Sequence, residues 1–391
     1  MKKILFVYHV SNIGGGSYCL LNIIKNIDQS KYIPSVLLSS NGPLVDELEK
    51  MGVNCYFIKE LRTVPYNKSL FNIRVLRNIF ELTKSLPKFR NLLDKLKPDL
   101  VYLNTMMLHP YLKICKQENI KTLIHIREHW PEREHTRQRK FAIQSIRKYA
   151  DSVVAINKYS ASMIQDDRHP VTIIYDWIDL SNRYEKHPFS KIFNEDCSNR
   201  KVYLCSGGYE KIKGTLQVVE AFSEVITDKE SRLLLLGCRP SIHRKGLKKI
   251  LDILPKKSYA DELDQAIAKD GRIKQIPNTY MVKHLFEQAY CVLSYFRIPH
   301  ANLALAENII LRTPSVAAET AESLEYSKNG ELALLFKEND IEDFKSKLRI
   351  IDKSNQSLKD RLVKESNQIE NLFSPTRNIN ILNEVVSNIL N

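Results

Sequence analysis

The chain has 391 residues, 43% of them hydrophobic and 27% charged, with a formal net charge of +14; that length can bury cores for two domains, and that composition excludes a disordered or fibrous chain. Its seven cysteines (19, 55, 115, 197, 205, 238, 291) are odd in number and form no C-x-x-C pair, which points to reduced thiols in a cytoplasmic protein and argues against a disulfide framework or a zinc site. No run approaches the roughly 18 apolar residues of a membrane span.

In chain order, Ile4–Val10 reads as a buried first strand. Met1 to Val10 superficially resembles a secretory leader, but its apolar run is too short and ends at Gly14-Gly-Gly16. Further short apolar strands follow at Pro34–Ser39, Cys55–Ile58, Leu100–Asn104, Thr122–Arg127 and Ser152–Ile156, with helical runs at Tyr18–Ile27, Pro43–Met51 and Phe141–Tyr149. The polar stretch Trp177 to Arg200 carries Pro188, lacks a clear period and reads as a linker. Strands then resume at Val202–Ser206, Arg232–Leu236, Arg272–Ile276, Cys291–Tyr295 and Ser315–Ala318, alternating with helices Thr215–Ile226, Val282–Ala289 and Leu303–Leu311. A final helix runs from Thr376 to Leu390. Continuous apolar strands separated by helices indicate parallel sheets covered on both faces. The expected fold is α/β: two Rossmann-like, doubly wound domains facing a cleft. The expected boundaries are 1–176, a linker over 177–200, 201–373, and a closing helix over 374–391 that packs back across the domains.

Chemistry concentrates after the strands. Val202-Tyr-Leu-Cys-Ser-Gly-Gly-Tyr-Glu-Lys-Ile-Lys-Gly214 runs from a strand through Gly207 and Gly208 to Lys213 and a helix start, the way such a sheet builds an anion site. A lysine there can neutralise a diphosphate and steady it as charge grows on departure. Glu307 lies early in the helix that begins near Ala304; its carboxylate can accept from two vicinal ribose hydroxyls while the N–H groups of Asn302 and Leu303 face phosphates. Glu325, before a turn, is a further acidic candidate. In the first half, Gly14-Gly-Gly-Ser17 joins strand to helix, and Gly15 and Gly16 let backbone approach a ligand. The spacing is not G-x-G-x-x-G, and Leu38-Ser-Ser-Asn41 lacks the acid that would hold a dinucleotide ribose, so a nicotinamide dehydrogenase is disfavoured. His109, Arg127, Glu128 and His129 follow strands and are candidate cleft residues, with Ser17 beside them. No D-x-D pair is present, which argues against a transferase that chelates its nucleotide through a divalent ion. No metal site and no bound cofactor are expected.

Charge is uneven. From Arg62 to Lys97 nine Lys or Arg stand against two acids, and Arg244, Lys245, Lys248, Lys249, Lys256 and Lys257 form a second cluster. Such amphipathic basic stretches suit an anionic membrane surface or a lipid phosphate, with a merely solvated face or nucleic acid as the other readings. A recognisable nucleic-acid motif is missing, so no nucleic-acid partner is expected.

Taken in order, these motifs resemble the family 4 (group 1) glycosyltransferases of the GT-B fold. The likeness spans nearly the whole chain: Gly14–Ser17 is similar to the family's glycine loop, Tyr149-Ala-Asp-Ser-Val-Val-Ala-Ile-Asn157 to its "adkviavs" strand and Ile174-Tyr-Asp-Trp-Ile-Asp179 to its "i-p-N-G-v-D". Gly207–Gly214 is similar to "G-R-L-x-x-x-K-G", and Leu305–Ala317 to "l-l-E-A-m-a-x-G-x-P-V-v-a". The resemblance implies retaining, metal-independent transfer of a sugar from a UDP- or GDP-linked donor to a saccharide or lipid-diphosphate-linked saccharide, in surface polysaccharide synthesis. It implies that Lys213 binds the diphosphate and Glu307 the ribose, that Gly15 and Gly16 approach phosphates or acceptor, and that His109 contacts the reacting sugar. It places the protein in the cytoplasm, peripherally at the membrane's inner face. Three positions depart from the pattern: the arginine before the lysine falls on Gly207 or Gly208, "N-G" becomes Asp176-Trp177, and the first glutamate of E-x7-E falls on Pro299. The last departure favours an alternative, a degenerate nucleotide-sugar-binding module without transfer activity.

Overall fold

A computed structural model of the chain describes residues 1–64, 73–131, 136–178, 189–238, 258–277, 279, 282–298 and 301–391. These residues form two compact units, one of residues 1–177 with 373–391, the other of residues 178–372. Each is an all-parallel α/β unit.

The first unit holds seven strands: β1 Lys2–Val7, β2 Tyr32–Leu38, β3 Asn54–Phe57, β4 Leu100–Leu103, β5 Lys121–Ile126, β6 Ser152–Ala155 and β7 Thr172–Ile173, in the order β3-β2-β1-β4-β5-β6-β7. Because side chains alternate along a strand, β1 sends Leu5 and Val7 to one core and Ile4 and Phe6 to the other. The first core is covered by helices Ile73–Leu96, Leu112–Gln117 and Thr136–Tyr149, which contribute Phe89, Leu93, Leu112, Ile143 and Ile146. The second is covered by helices Gly15–Asn26 and Pro43–Lys50 and by the last helix, Pro375–Leu390, whose Leu382 and Val386 are fully buried beside Ile4, Phe6 and Leu100. Asn378 Oδ1 accepts from Tyr175 N at 3.0 Å, fixing that helix to the chain leaving β7. The closing helix is therefore part of the first unit's core.

The second unit holds six strands: β8 Val202–Cys205, β9 Arg232–Leu236, β10 Ile273–Ile276, β11 Cys291–Ser294, β12 Ser315–Ala318 and β13 Leu334–Phe336, ordered β10-β9-β8-β11-β12-β13. The second half of the expected linker is built into this unit: Phe189 and Cys197 are buried against Val202 and Leu204, because the short helix Phe189–Phe193 carries an apolar face. Residues 179–188 of that stretch, the cluster 244–257, and Pro299 lie outside the described residues.

In both sheets the chain winds outward from a central pair, β1/β4 and β8/β11, in opposite directions. Loops leaving the carboxyl ends of such a pair diverge and leave a crevice, the place where open parallel sheets bind ligands. No helix among the described residues is long and apolar enough to cross a membrane.

Candidate functional site

In the second unit the loop after β8 is a glycine turn. Gly208 (φ 58°) and Gly214 (φ 63°) adopt the left-handed conformation that L side chains disfavour. A Cβ on Gly214 would strike the carbonyl oxygen of Tyr295, and one on Gly207 would strike Thr215 Oγ1. Thr215 Oγ1 donates to Gly208 O at 2.7 Å, Arg297 N donates to Ile212 O at 2.8 Å, and Gly208 N donates to Leu236 O at 3.2 Å. The turn is thus clamped between the ends of β9 and β11. Tyr209 adds an anchor: its hydroxyl donates to Asp264 and contacts Gln275 Oε1 at 3.1 Å. Lys213 ends the single 3-10 turn Lys211–Lys213, directly before helix Thr215–Val225. Its ammonium is 30% exposed, 3.7 Å from Glu210, so it stands at the mouth of the turn.

After β11, helix Leu303–Ile310 is capped by Asn302, whose Oδ1 accepts from Leu305 N at 3.2 Å. Asn302 is 2% exposed and its Nδ2 has no partner. Glu307 lies partly buried one turn into that helix; desolvation pushes its carboxyl up to about 7, opposed by the Lys283 ammonium. Lys213, Asn302 and Leu303 therefore flank the β8/β11 crevice from its two sides, with Glu307 one turn behind. No hydrogen bond or ion pair joins Lys213 to Glu307. Glu325 is on a different element, helix Ala321–Tyr326 after β12.

The first unit has the corresponding crevice between β1 and β4. Helix Gly15–Asn26 starts there, so Gly15 and Gly16 occupy its first turn, where N–H groups have no intrahelical partner. Gly15 has open space at its Cβ position, whereas a Cβ on Gly16 would meet the Tyr8 hydroxyl at 2.5 Å. Ser17 is buried and donates to Asn12 O at 2.6 Å. Behind this turn lies a buried polar network. The Arg127 guanidinium donates to Asn104 Oδ1 at 2.9 Å, pairs with Asp176 and meets His125 Nδ1 at 3.3 Å. The Tyr102 hydroxyl reaches the same His125 nitrogen at 2.6 Å, and Asn104 Nδ2 donates to Gly16 O at 3.5 Å. Glu128 accepts from Thr105 Oγ1, from Met106 N at 3.1 Å and from Arg127 N at 3.0 Å; burial raises its carboxyl pKa, and those donors oppose the rise.

Residues 13–182 match the model of Glycosyltransferase Family 4. That stretch, a little under half of the chain, is similar to the family 4 glycosyltransferase domain. No curated protein matches the chain in sequence. Among solved structures it is similar to Anabaena HepE in complex with UDP and glucose, with a TM-score of 0.75 and 18% identity over 99% of this chain and 100% of that one. A glycosyltransferase from Rickettsia africae ESF-5 (TM-score 0.71, 16% identity, 100% and 98% covered) and the sucrose-phosphate synthase of Thermosynechococcus elongatus (0.73, 12%, 100% and 99%) share the same architecture. At these identities the likeness is one of fold, and the fold is GT-B.

Arg127 and Glu128 are inward-facing ties between the ends of β4, β5 and β7. With the guanidinium only 8% exposed and spent on Asn104 and Asp176, it holds the crevice wall and leaves little to offer a ligand. His129 stacks on Tyr159, ring centroids 3.7 Å apart and 6° from parallel. His109 departs from expectation: it is 1% exposed in the short helix Met106–Tyr111, its ring set edge-on to Phe141, and no hydrogen bond ties it to the Arg127 network among the described residues. Burial lowers its imidazole to about 4, so it is neutral at physiological pH. Sequence reading missed Asn104, Thr105 and His125 as network members and Tyr209 as the anchor of the glycine turn. The available signal was their position at or just beyond a strand's carboxyl end.

Proposed function

We propose that this glycosyltransferase moves a sugar from a nucleotide-diphosphate donor to a saccharide or lipid-linked saccharide acceptor, with retention at the anomeric carbon and without a metal, in the assembly of a surface polysaccharide. The observation that carries the reading is the pairing of a clamped glycine turn ending in Lys213 with the helix of Asn302, Leu303 and Glu307, on the two sides of the β8/β11 crevice. The first supplies a cation and a helix N-terminus for a dianionic leaving group; the second supplies a second helix start and a carboxylate for a ribose diol. HepE, which shares the fold, has been solved with UDP-glucose, and this supports UDP as the first donor base to try.

In the transfer step the bond between the anomeric carbon and the diphosphate oxygen breaks, and a bond to the acceptor hydroxyl oxygen forms. The electron pair goes to the diphosphate, where Lys213 and the first N–H groups of helix Thr215–Val225 offset the growing charge. The acceptor proton passes to that same leaving oxygen, a route that suits front-face attack because no carboxylate in the sequence pattern is placed as a nucleophile. The first unit, with Gly15 and Gly16 at an open helix start, is assigned the acceptor. The chain is assigned to the cytoplasm, at the inner face of the membrane.

The test is release of UDP from UDP-sugars in the presence of acceptor. Lys213→Ala is expected to lower turnover by about 100- to 1,000-fold, the scale of losing one oxyanion-type donor; turnover equal to wild type would remove Lys213 from the mechanism. Pro299 in place of the family glutamate favours a second reading, a binding module. Nucleotide-sugar binding without diphosphate release across a donor panel would select it.

A further inference from the structure

The first unit contains a cavity that the transfer reaction does not use. It has a volume of about 460 Å³ and is lined by Arg139, Lys140, Ile143 and Arg147 of helix Thr136–Tyr149 and by Ser162 and Met163. Its lining combines three cationic side chains with the apolar Ile143 and Met163 and the neutral Gln144 and Ser162. Two of the cations are held in place by backbone: Arg139 Nε donates to Trp130 O at 3.2 Å, and Arg147 donates to Ile164 O through Nε at 3.0 Å and Nη2 at 2.7 Å. Arg147 also pairs with Asp166 at 3.0 Å, which is itself shared with His169. Lys140 is exposed and makes no ion pair among the described residues. The helix itself carries five Lys or Arg and no acid.

The surroundings add a direction. Helices Ile73–Leu96, Leu112–Gln117 and Thr136–Tyr149 form one layer over one face of the sheet. The first of them brings six Lys or Arg against two acids, and the second two against none. Most large exposed apolar side chains of a soluble protein are scattered. Here Ile73 (82% exposed), Leu76, Phe80 and Phe141 (64%) share this layer, and Ile73, Leu76 and Phe80 fall at helical spacing on one face, with the Lys84 ammonium 4.2 Å over the Phe80 ring. Apolar groups flanked by cations fit the boundary between acyl chains and anionic headgroups.

We propose that the Arg139–Lys140–Arg147 cavity is a phosphate-binding subsite that takes the headgroup phosphate of an anionic lipid, with Phe141 and the Ile73–Phe80 stripe resting in the bilayer surface. The proposal rests on the anionic-membrane part of the functional reading and is independent of the donor chemistry. The oxygens of a phosphodiester accept from the two fixed guanidinium groups and from the exposed Lys140 ammonium, and the glycerol backbone lies over Ile143 and Met163.

The test is co-sedimentation of the full chain with phosphatidylglycerol/phosphatidylcholine vesicles, against phosphatidylcholine alone and against soluble glycerol phosphate. Wild type is expected on the anionic vesicles only. Lys140→Glu and Arg139→Gln are expected to weaken that binding on the order of tenfold or more, while Lys364→Glu, an equal charge change on an exposed residue of the other unit, leaves it near wild type. UDP-induced thermal stabilisation reports the donor site separately and is expected to persist in every variant. Equal losses for Lys140→Glu and Lys364→Glu would show a diffuse charge effect and overturn the site. So would wild-type failure to bind anionic vesicles, or stabilisation by soluble glycerol phosphate, lost in Lys140→Glu, without vesicle binding.

Discussion

Gly214 has little freedom to change. Its φ of 63° costs a residue with a side chain roughly 1–2 kcal/mol, and the Cβ would collide with the Tyr295 carbonyl, a backbone atom that cannot rotate away. Gly214→Ala is therefore expected to destabilise the second unit by about 3 kcal/mol and to displace Lys213 with it; chemical denaturation and UDP binding would both read the change. Glu307 gives a pH signature. Its folded pKa of about 7 lies above the unfolded value of about 4.5, so the folded state binds the extra proton between those values. Stability from this group is fully present below pH 4.5 and falls as pH rises toward 7, by about 3 kcal/mol in all. The ionised carboxylate is the form that accepts from a ribose diol, so nucleotide affinity is expected to rise up to about tenfold from pH 6 to 8. Glu307→Gln should flatten both curves beyond what the nucleotide's own ionisation contributes; a parallel affinity curve in the variant would remove the ribose role. A placement that depends on sequence-local geometry, such as that of Lys213 before a helix, was legible in advance. Arg127 and His109 were not, because whether a polar side chain turns toward a crevice or into the wall depends on partners far along the chain, Asp176 and Phe141 here.

At the scale of elements, hydrophobic period and glycine placement located eleven of the thirteen strands among the described residues to within a few residues. The two that escaped, β7 Thr172–Ile173 and β13 Leu334–Phe336, are edge strands of two and three residues, too short to show a pattern. Helix Ile73–Leu96 was recognised only as a basic amphipathic stretch. Its buried face of Val75, Leu82, Phe89 and Leu93 lies opposite an exposed face that is itself apolar at Ile73, Leu76 and Phe80, so a single-stripe pattern is blurred. The closing helix illustrates how distant sequence completes a core. Leu382 and Val386 fill the second face of the first sheet, so Leu382→Ala is expected to cost about 2–5 kcal/mol. Removing residues 373–391 should unfold the first unit, as judged by loss of protection in β1 and β4 during hydrogen exchange. A truncated chain with an intact first unit would refute the assignment of this helix to that core.

For the molecule as a whole, the two units divide the chemistry. Among the described residues the second unit's crevice carries Lys213 with Glu210 beside it, two helix starts and Glu307; the first unit holds most of the surplus positive charge on one helical layer. A nucleotide and an anionic surface should therefore act on separate parts of the chain. Binding of a ligand to the folded state alone stabilises it by about 2.7 kcal/mol at a hundredfold excess over Kd, and local exchange reports where the stabilisation falls. UDP is expected to slow amide exchange at residues 206–216 and 302–310 and leave residues 136–149 unchanged. Because a diphosphate is held by a partly exposed ammonium and by helix termini, this protection should weaken as salt rises from 50 to 500 mM, with the Debye length shrinking from about 14 to about 4 Å. Protection by UDP that appears in the first unit's glycine start at residues 14–18, and is absent at 206–216, would move the donor to the other sheet and reverse the assignment of the two units.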